Sequence, residues 1–151
     1  MRKILSIMQI AVLMGFAVFQ NANAADAIYT SFFSNKAVAG YDVVAYFTEN
    51  KPVEGNSKYS FEYKGAEWLF STNEHLTLFK DNPEKYAPQY GGYCAWAMAD
   101  NETAPGKPAF WTVYKDKLYL NYDQSVQDTW LTDKEGFIQK ADFNWSKLDK
   151  E

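Results

Sequence analysis

Thiol and imidazole are nearly absent from this chain of 151 residues, which has one cysteine and one histidine. A single thiol excludes a disulfide framework, a thiolate zinc finger built within one chain and a CxxC redox motif. Basic residues are in deficit, 15 Lys and Arg against 19 Asp and Glu. Phosphate binding draws on counterion release by surplus positive charge, so nucleic acid is not an expected partner. The 8 glycines and 5 prolines never gather into a linker, and no low-complexity tract suggests disorder. No internal repeat stands out. There is no GxGxxG or phosphate loop, and a lone histidine gives no basis for a Ser/His/Asp triad.

The one long apolar run is at the start. Arg2 and Lys3 precede residues 4–19, which are apolar apart from Ser6 and Gln9, and Ala22-Asn23-Ala24 supplies a small-x-small pattern. The run is shorter than the ~20 residues that span hydrocarbon. Residues 1–24 therefore read as a signal peptide and 25–151 as one domain. Loss of Arg2 and Lys3 takes the formal charge from -4 to -6. With no cysteine beside the cleavage point and no twin arginine, a soluble periplasmic or secreted product is expected, with no membrane association after cleavage. Cys94 then sits in an oxidising compartment without an intramolecular partner.

Aromatic residues make up 18% of the chain, which implies a core filled by large rings whose polar tips need partners. Tyr59, Phe61 and Tyr63 alternate with polar residues, Gly65 interrupts, and Trp68-Leu69-Phe70 follows: a hairpin. Ser71-Thr72-Asn73-Glu74 matches a capping box with Ser71 as the cap, predicting a helix to about Asp81 with His75, Leu76 and Phe79 on its inner face. A second hairpin is expected over 111–122, turning at Lys115-Asp116-Lys117. Beyond Asp123 the spacing is helical. Thr132-Asp133-Lys134-Glu135 reads as another capping box, opening a helix with Phe137, Ile138, Ala141 and Trp145 on one stripe. Residues 40–47 suit either a capped helix or a strand. Alternation of Cys94, Trp96 and Met98 with alanines favours a strand there. Strand pairs followed by helices define the expected fold class: α+β, a small single domain of short antiparallel hairpins packed on helices.

Several motifs agree in order and spacing with one family. Trp68-Leu69-Phe70-Ser71 through Phe79, Asn82-Pro83-Glu84-Lys85-Tyr86, Tyr90-Gly91-Gly92-Tyr93-Cys94-Ala95 and Lys117-Leu118-Tyr119-Leu120-Asn121-Tyr122 resemble exported YHS domain-containing proteins. Residues 40–47 and 141–145 extend the likeness over nearly the whole mature chain. The resemblance implies heavy-metal handling. The wider group commonly carries two cysteines at positions that fall here on Ser71 and His75, so the thiolate pair is missing. The branch with Tyr-Gly-Gly-Tyr-Cys, in which some relatives use selenocysteine, has that residue at Cys94, which implies either redox chemistry or soft-metal coordination there.

These observations make Cys94, His75 and Met98 the candidate metal ligands. A thiolate with an imidazole, with or without the thioether, suits Cu(I). In the first turn of its helix, His75 lies near the positive end of the dipole, which favours a neutral ring with a free lone pair. The alternatives are a thiol-based redox protein using Cys94, which lacks a resolving cysteine, and a non-catalytic module binding a ligand along Tyr41, Tyr90, Tyr93 and Trp96. Nothing in the sequence compels an enzyme. The expected partner is a metal ion or small ligand. Gly91-Gly92 is read as a turn of positive φ that positions the Cys94 sulfur in a pocket.

Overall fold

The computed structural model describes residues 24–150, so the leader expected over 1–24 lies outside the described residues apart from Ala24. In the first hairpin, β2 (Asn56–Tyr63) and β3 (Ala66–Phe70) pair antiparallel, with a register irregularity near the open end. Lys64 and Gly65 turn the chain with φ of 49° and 77°. Helix α2 (Asn73–Asp81) follows and lays Phe79 on Trp68, ring centroids 4.9 Å apart. A second hairpin, β4 (Lys107–Tyr114) with β5 (Lys117–Asn121), leads into α5 (Gln124–Leu131), which lays Trp130 on Tyr119 at 5.2 Å. The fold is α+β, as its hairpins and helices predict.

The two hairpin–helix units are the same structure. Adding 51 to each residue number of β2, β3 and the start of α2 gives β4, β5 and the start of α5. The helix caps correspond: Thr72 accepts from the His75 amide and Asp123 from the Val126 amide. The segments leading into the hairpins correspond too. Residues 37–40 and 89–92 each form a tight turn whose last three residues have positive φ, and each is followed by a short helix, α1 (Ala45–Thr48) or α4 (Ala95–Ala99). Asp42 N donates to Val53 O at 2.8 Å, as Cys94 N does to Ala104 O at 2.8 Å. Gly55 N donates to Gly40 O, as Gly106 N does to Gly92 O. The sequence reading found no repeat because little identity survives beyond Gly-Tyr at 40–41 and 92–93 and Tyr-Lys at 63–64 and 114–115. Backbone geometry persists where side chains have diverged.

Each unit carries its own buried cluster. The first gathers Val43, Val44, Tyr46, Trp68, Phe70 and Phe79, with Leu118 and Leu120 reaching in from the second hairpin. The second gathers Tyr90, Tyr93, Met98, Tyr119, Trp130 and Ala141. Interlocking of β5 with the first cluster makes one domain of the two units. Helix α6 (Lys134–Lys147) closes the second cluster with Phe137, Ile138 and Trp145, the expected stripe. Helix α3 (Pro83–Tyr86) links the units, and β1 (Ala24–Ala25) pairs in parallel with β6 (Asp149–Lys150). Among the described residues no helix is long and apolar enough to cross a membrane.

Three local expectations are corrected. The cap of α2 is Thr72, because the Ser71 hydroxyl donates to the Asp42 carboxylate, a stronger charged acceptor. The cap of α6 is Asp133, which accepts from Gly136 N at 3.0 Å, while Thr132 closes α5. Residues 94–99 form a helix with Cys94 as its cap, because they follow the same turn that starts α1 in the first unit.

Candidate functional site

Asp42 begins the site. It is fully buried, and five donors converge on its carboxylate. Oδ1 accepts from the amides of Val44 (3.0 Å) and Ala45 (3.3 Å), at the start of α1. Oδ2 accepts from Ser71 N (2.8 Å), Ser71 Oγ (2.6 Å) and His75 Nδ1 (2.7 Å). His75 Nδ1 faces a carboxylate oxygen, so it is the ring nitrogen placed to donate. The Nε2 atom of His75 then faces the end of α1, 3.2 Å from Thr48 Oγ1 and 4.0 Å from Glu49 Oε1. Thr48 and Glu49 are exposed, and the His75 side chain is 10% exposed, so this edge opens toward solvent.

The serine, histidine and aspartate touch without forming a nucleophile triad. Ser71 Oγ lies 3.5 Å from Nδ1, on the same edge as Asp42, and gives its proton to the carboxylate. A triad needs the hydroxyl on the opposite nitrogen from the acid. The position of His75 in the first helical turn is as predicted, and the group nearest its ring is Asp42, which sequence reasoning did not select. The signal lay in the capped-helix alternative for residues 40–47: the Asp42 contacts to the amides of Val44 and Ala45 are those of a cap.

Cys94 occupies the Asp42 position of the second unit. Its side chain is 1% exposed. The sulfur donates to Asn121 Oδ1 at 3.6 Å, and the amides of Ala97, Trp96 and Tyr122 point toward it. Burial pushes the thiol up, and those amides only partly offset it, so the group is a protonated thiol at neutral pH. In place of an imidazole the second unit has Val126, the equivalent of His75. Met98 lies one turn beyond Cys94, fully buried in the second cluster. No polar contact joins Cys94 or Met98 to His75, so the expected ligand set divides between the two units.

The remaining aromatic candidates are packed. Tyr90 donates to Asp142 Oδ1 at 2.8 Å, and its ring meets Tyr119 and Trp145. Tyr93 packs on Tyr29 and Trp145. Gly91 and Gly92 do have positive φ, 61° and 89°. The close approach they permit is to the chain at Ala27, whose carbonyl oxygen would lie 2.1 Å from a Cβ on Gly91, and not to the sulfur.

Among the described residues no group of three or more His, Cys, Asp and Glu side chains is gathered to hold a metal. The nearest approach to one is the imidazole–carboxylate edge of His75 Nε2 and Glu49. Residues 44–90 match the family model described as YHS domain. No curated protein and no solved structure matches the chain. The matched stretch contains Thr48, Glu49, Ser71 and His75, whereas Cys94 and Met98 lie beyond it.

Proposed function

We propose that this chain is an exported, non-catalytic metal-handling protein whose contact with its cargo is the Nε2 edge of His75, with Glu49 beside it. The observation that carries the reading is the 2.7 Å bond between His75 Nδ1 and the buried Asp42 carboxylate. That arrangement, a histidine held at one ring nitrogen by a carboxylate, is the one that orients metal-ligating imidazoles, and it turns Nε2 to the open edge beside the Thr48 hydroxyl. Ser71 and His75, the two positions at which the wider YHS group carries cysteines, lie side by side around Asp42. The metal-type position of the family is therefore kept while its ligand chemistry has changed from thiolate to imidazole and oxygen.

The donor set supports one class of ion over another. Imidazole with carboxylate suits Cu(II) or Zn(II) better than Cu(I), which prefers sulfur. Two donors from the chain leave coordination positions for water or for a partner's ligands, which suits an ion passed on and not one stored. Copper remains the cargo most in keeping with the family.

The test is a titration with Cu(II) against a competing chelator, repeated with Cu(I). Wild type and Cys94→Ser should compete equally for Cu(II), and His75→Ala should lose at least tenfold in affinity. Competition for Cu(I) that disappears in Cys94→Ser and survives in His75→Ala would move the site to the thiol. No competition by wild type for either ion would remove the metal reading.

A further inference from the structure

A cavity of about 270 Å³ lies where the two units meet, and none of its lining residues belongs to the His75 site. Tyr29, Ser31, Lys36 and Ala39 come to it from the segment that opens the first unit. Residues 105–108 and Tyr122 come from the second. Several backbone groups along it are spent elsewhere. Pro105 and Pro108 have no N–H, Gly106 N donates to Gly92 O at 3.1 Å, and Pro108 O accepts from the Tyr46 hydroxyl at 2.9 Å. With the proline rings, the Ala39 methyl and two tyrosines, the lining is mainly carbon. Water there has few partners, and a flat apolar group gains by displacing it.

The charge of the cavity is one-sided. The chain as a whole carries more acid than base, yet Lys36 and Lys107 line this space and no Asp or Glu does. Both lysines are exposed, and among the described residues neither forms an ion pair with a carboxylate. Lys107 Nζ lies 4.1 Å from the Tyr122 ring centroid, a cation–π contact that keeps one ammonium at the cavity. An apolar lining with positive charge and no counter-charge is complementary to an apolar molecule that carries an anion.

We propose that this cavity binds a small aromatic carboxylate, its ring against Pro105, Pro108 and the two tyrosines and its carboxylate on the Lys36 and Lys107 ammonium groups. The volume suits a single ring with one charged group. A doubly charged phosphate is the poorer fit, because a lining of carbon does not replace its hydration. Ser31 lines the same cavity and offers a hydroxyl donor to the carboxylate. The site is independent of the metal reading, since it shares no residue with the His75 edge.

The experiment titrates benzoate into isotope-labelled protein and follows amide chemical shifts, with benzyl alcohol and inorganic phosphate as probes of the ring alone and the charge alone. Benzoate should move the amides of Tyr29, Ala39, Gly106 and Tyr122 and saturate with a dissociation constant of about 1 mM or lower. Benzyl alcohol and phosphate should each bind at least about tenfold more weakly. Lys36→Gln with Lys107→Gln should cost benzoate at least about tenfold, and Ser31→Trp, which fills the cavity, should abolish the shifts. His75→Ala should bind benzoate as wild type does. Phe32 and Phe33, both 94% exposed, are the competing apolar surface, and replacing both by serine should leave binding intact. The proposal is overturned if no saturable shift appears, if the shifts centre elsewhere, or if either control probe matches benzoate. It is equally overturned if the double lysine variant binds unchanged, or if the double serine variant loses binding.

Discussion

His75 Nδ1 lies 2.7 Å from Asp42 Oδ2, and the carboxylate that holds the ring is itself sealed from solvent and held by the amides of Val44, Ala45 and Ser71. The pair joins α1, α2 and the end of β3 at one point. In the second unit the equivalent positions are Cys94 and Val126.

Replacing the carboxylate tests how much of the first unit depends on this point. Asp42→Asn keeps the volume but turns an NH2 group toward one set of donors. The unfolding free energy should fall by about 2–4 kcal/mol, since hydrogen bonds to a carboxylate are lost and buried donors are left unpaired at a cost of ~1–3 kcal/mol each. Urea denaturation with a well-matched slope reads it directly. A loss below about 1 kcal/mol would mean that the five contacts are not formed together.

The unit equivalence can be tested by completing the second copy. Val126→His places an imidazole at the position of His75, facing Cys94 in place of Asp42. This variant should bind Cu(I) under chelator competition more tightly than wild type, and the gain should vanish in Val126→His with Cys94→Ser. An unchanged affinity would show that the two units do not superpose at their sites.

Cys94 should alkylate slowly in the folded protein. Its thiol is buried and its ionisation pushed up by that burial, so iodoacetamide should modify it far faster in urea than in buffer. Equal rates by mass spectrometry would show that the sulfur is open to solvent.

Alkaline pH should destabilise the protein, and the sign follows from the groups involved. Burial raises Tyr46, burial and the Asp142 hydrogen bond raise Tyr90, and burial pushes Tyr119 up to about 12. Cys94 is raised as well. Each group ionises earlier in the unfolded chain than in the folded one. Their contribution is therefore complete below the ordinary thiol and phenol range and is lost as pH rises through the shifted values. Urea midpoints should hold to about pH 8.5 and decline steeply above about pH 10. A Tyr90→Phe variant should soften that decline.

Gly91→Ala should cost at least about 2 kcal/mol, since φ is 61° and the new Cβ would meet the Ala27 carbonyl oxygen at 2.1 Å. The same substitution at Gly65, where φ is 77° and nothing lies within 4 Å, measures the conformational part alone. A similar loss at both sites would remove the claim that the 27–29 segment docks on Gly91.

Much of the fold was legible because it is local. Alternation at Tyr59, Phe61 and Tyr63 marked a hairpin, and the spacing of Phe137, Ile138, Ala141 and Trp145 marked the helix that covers the second cluster. Helix caps were placed one residue early, because Ser71 and Thr132 have the chemistry of a cap and their neighbours Thr72 and Asp133 have the position. Residues 94–99 were read as a strand because alternation over so few residues does not separate the two periods. His75 was legible as a candidate. Asp42 was not recognised as its partner, since 33 positions separate them and only the hairpin brings them together.

By itself, the order of residues determined the class of fold, the two hairpins with their following helices, and the scarcity of soft ligands that confines any metal chemistry to few atoms. Those properties depend on composition and on spacing along the chain. The tertiary structure decided that the domain is built from two equivalent units, that His75 answers to Asp42, and that Cys94 stands in a carboxylate's place. Such matters depend on which backbone amides and side chains meet across the fold, and backbone hydrogen bonds repeat between the units where the side chains no longer do.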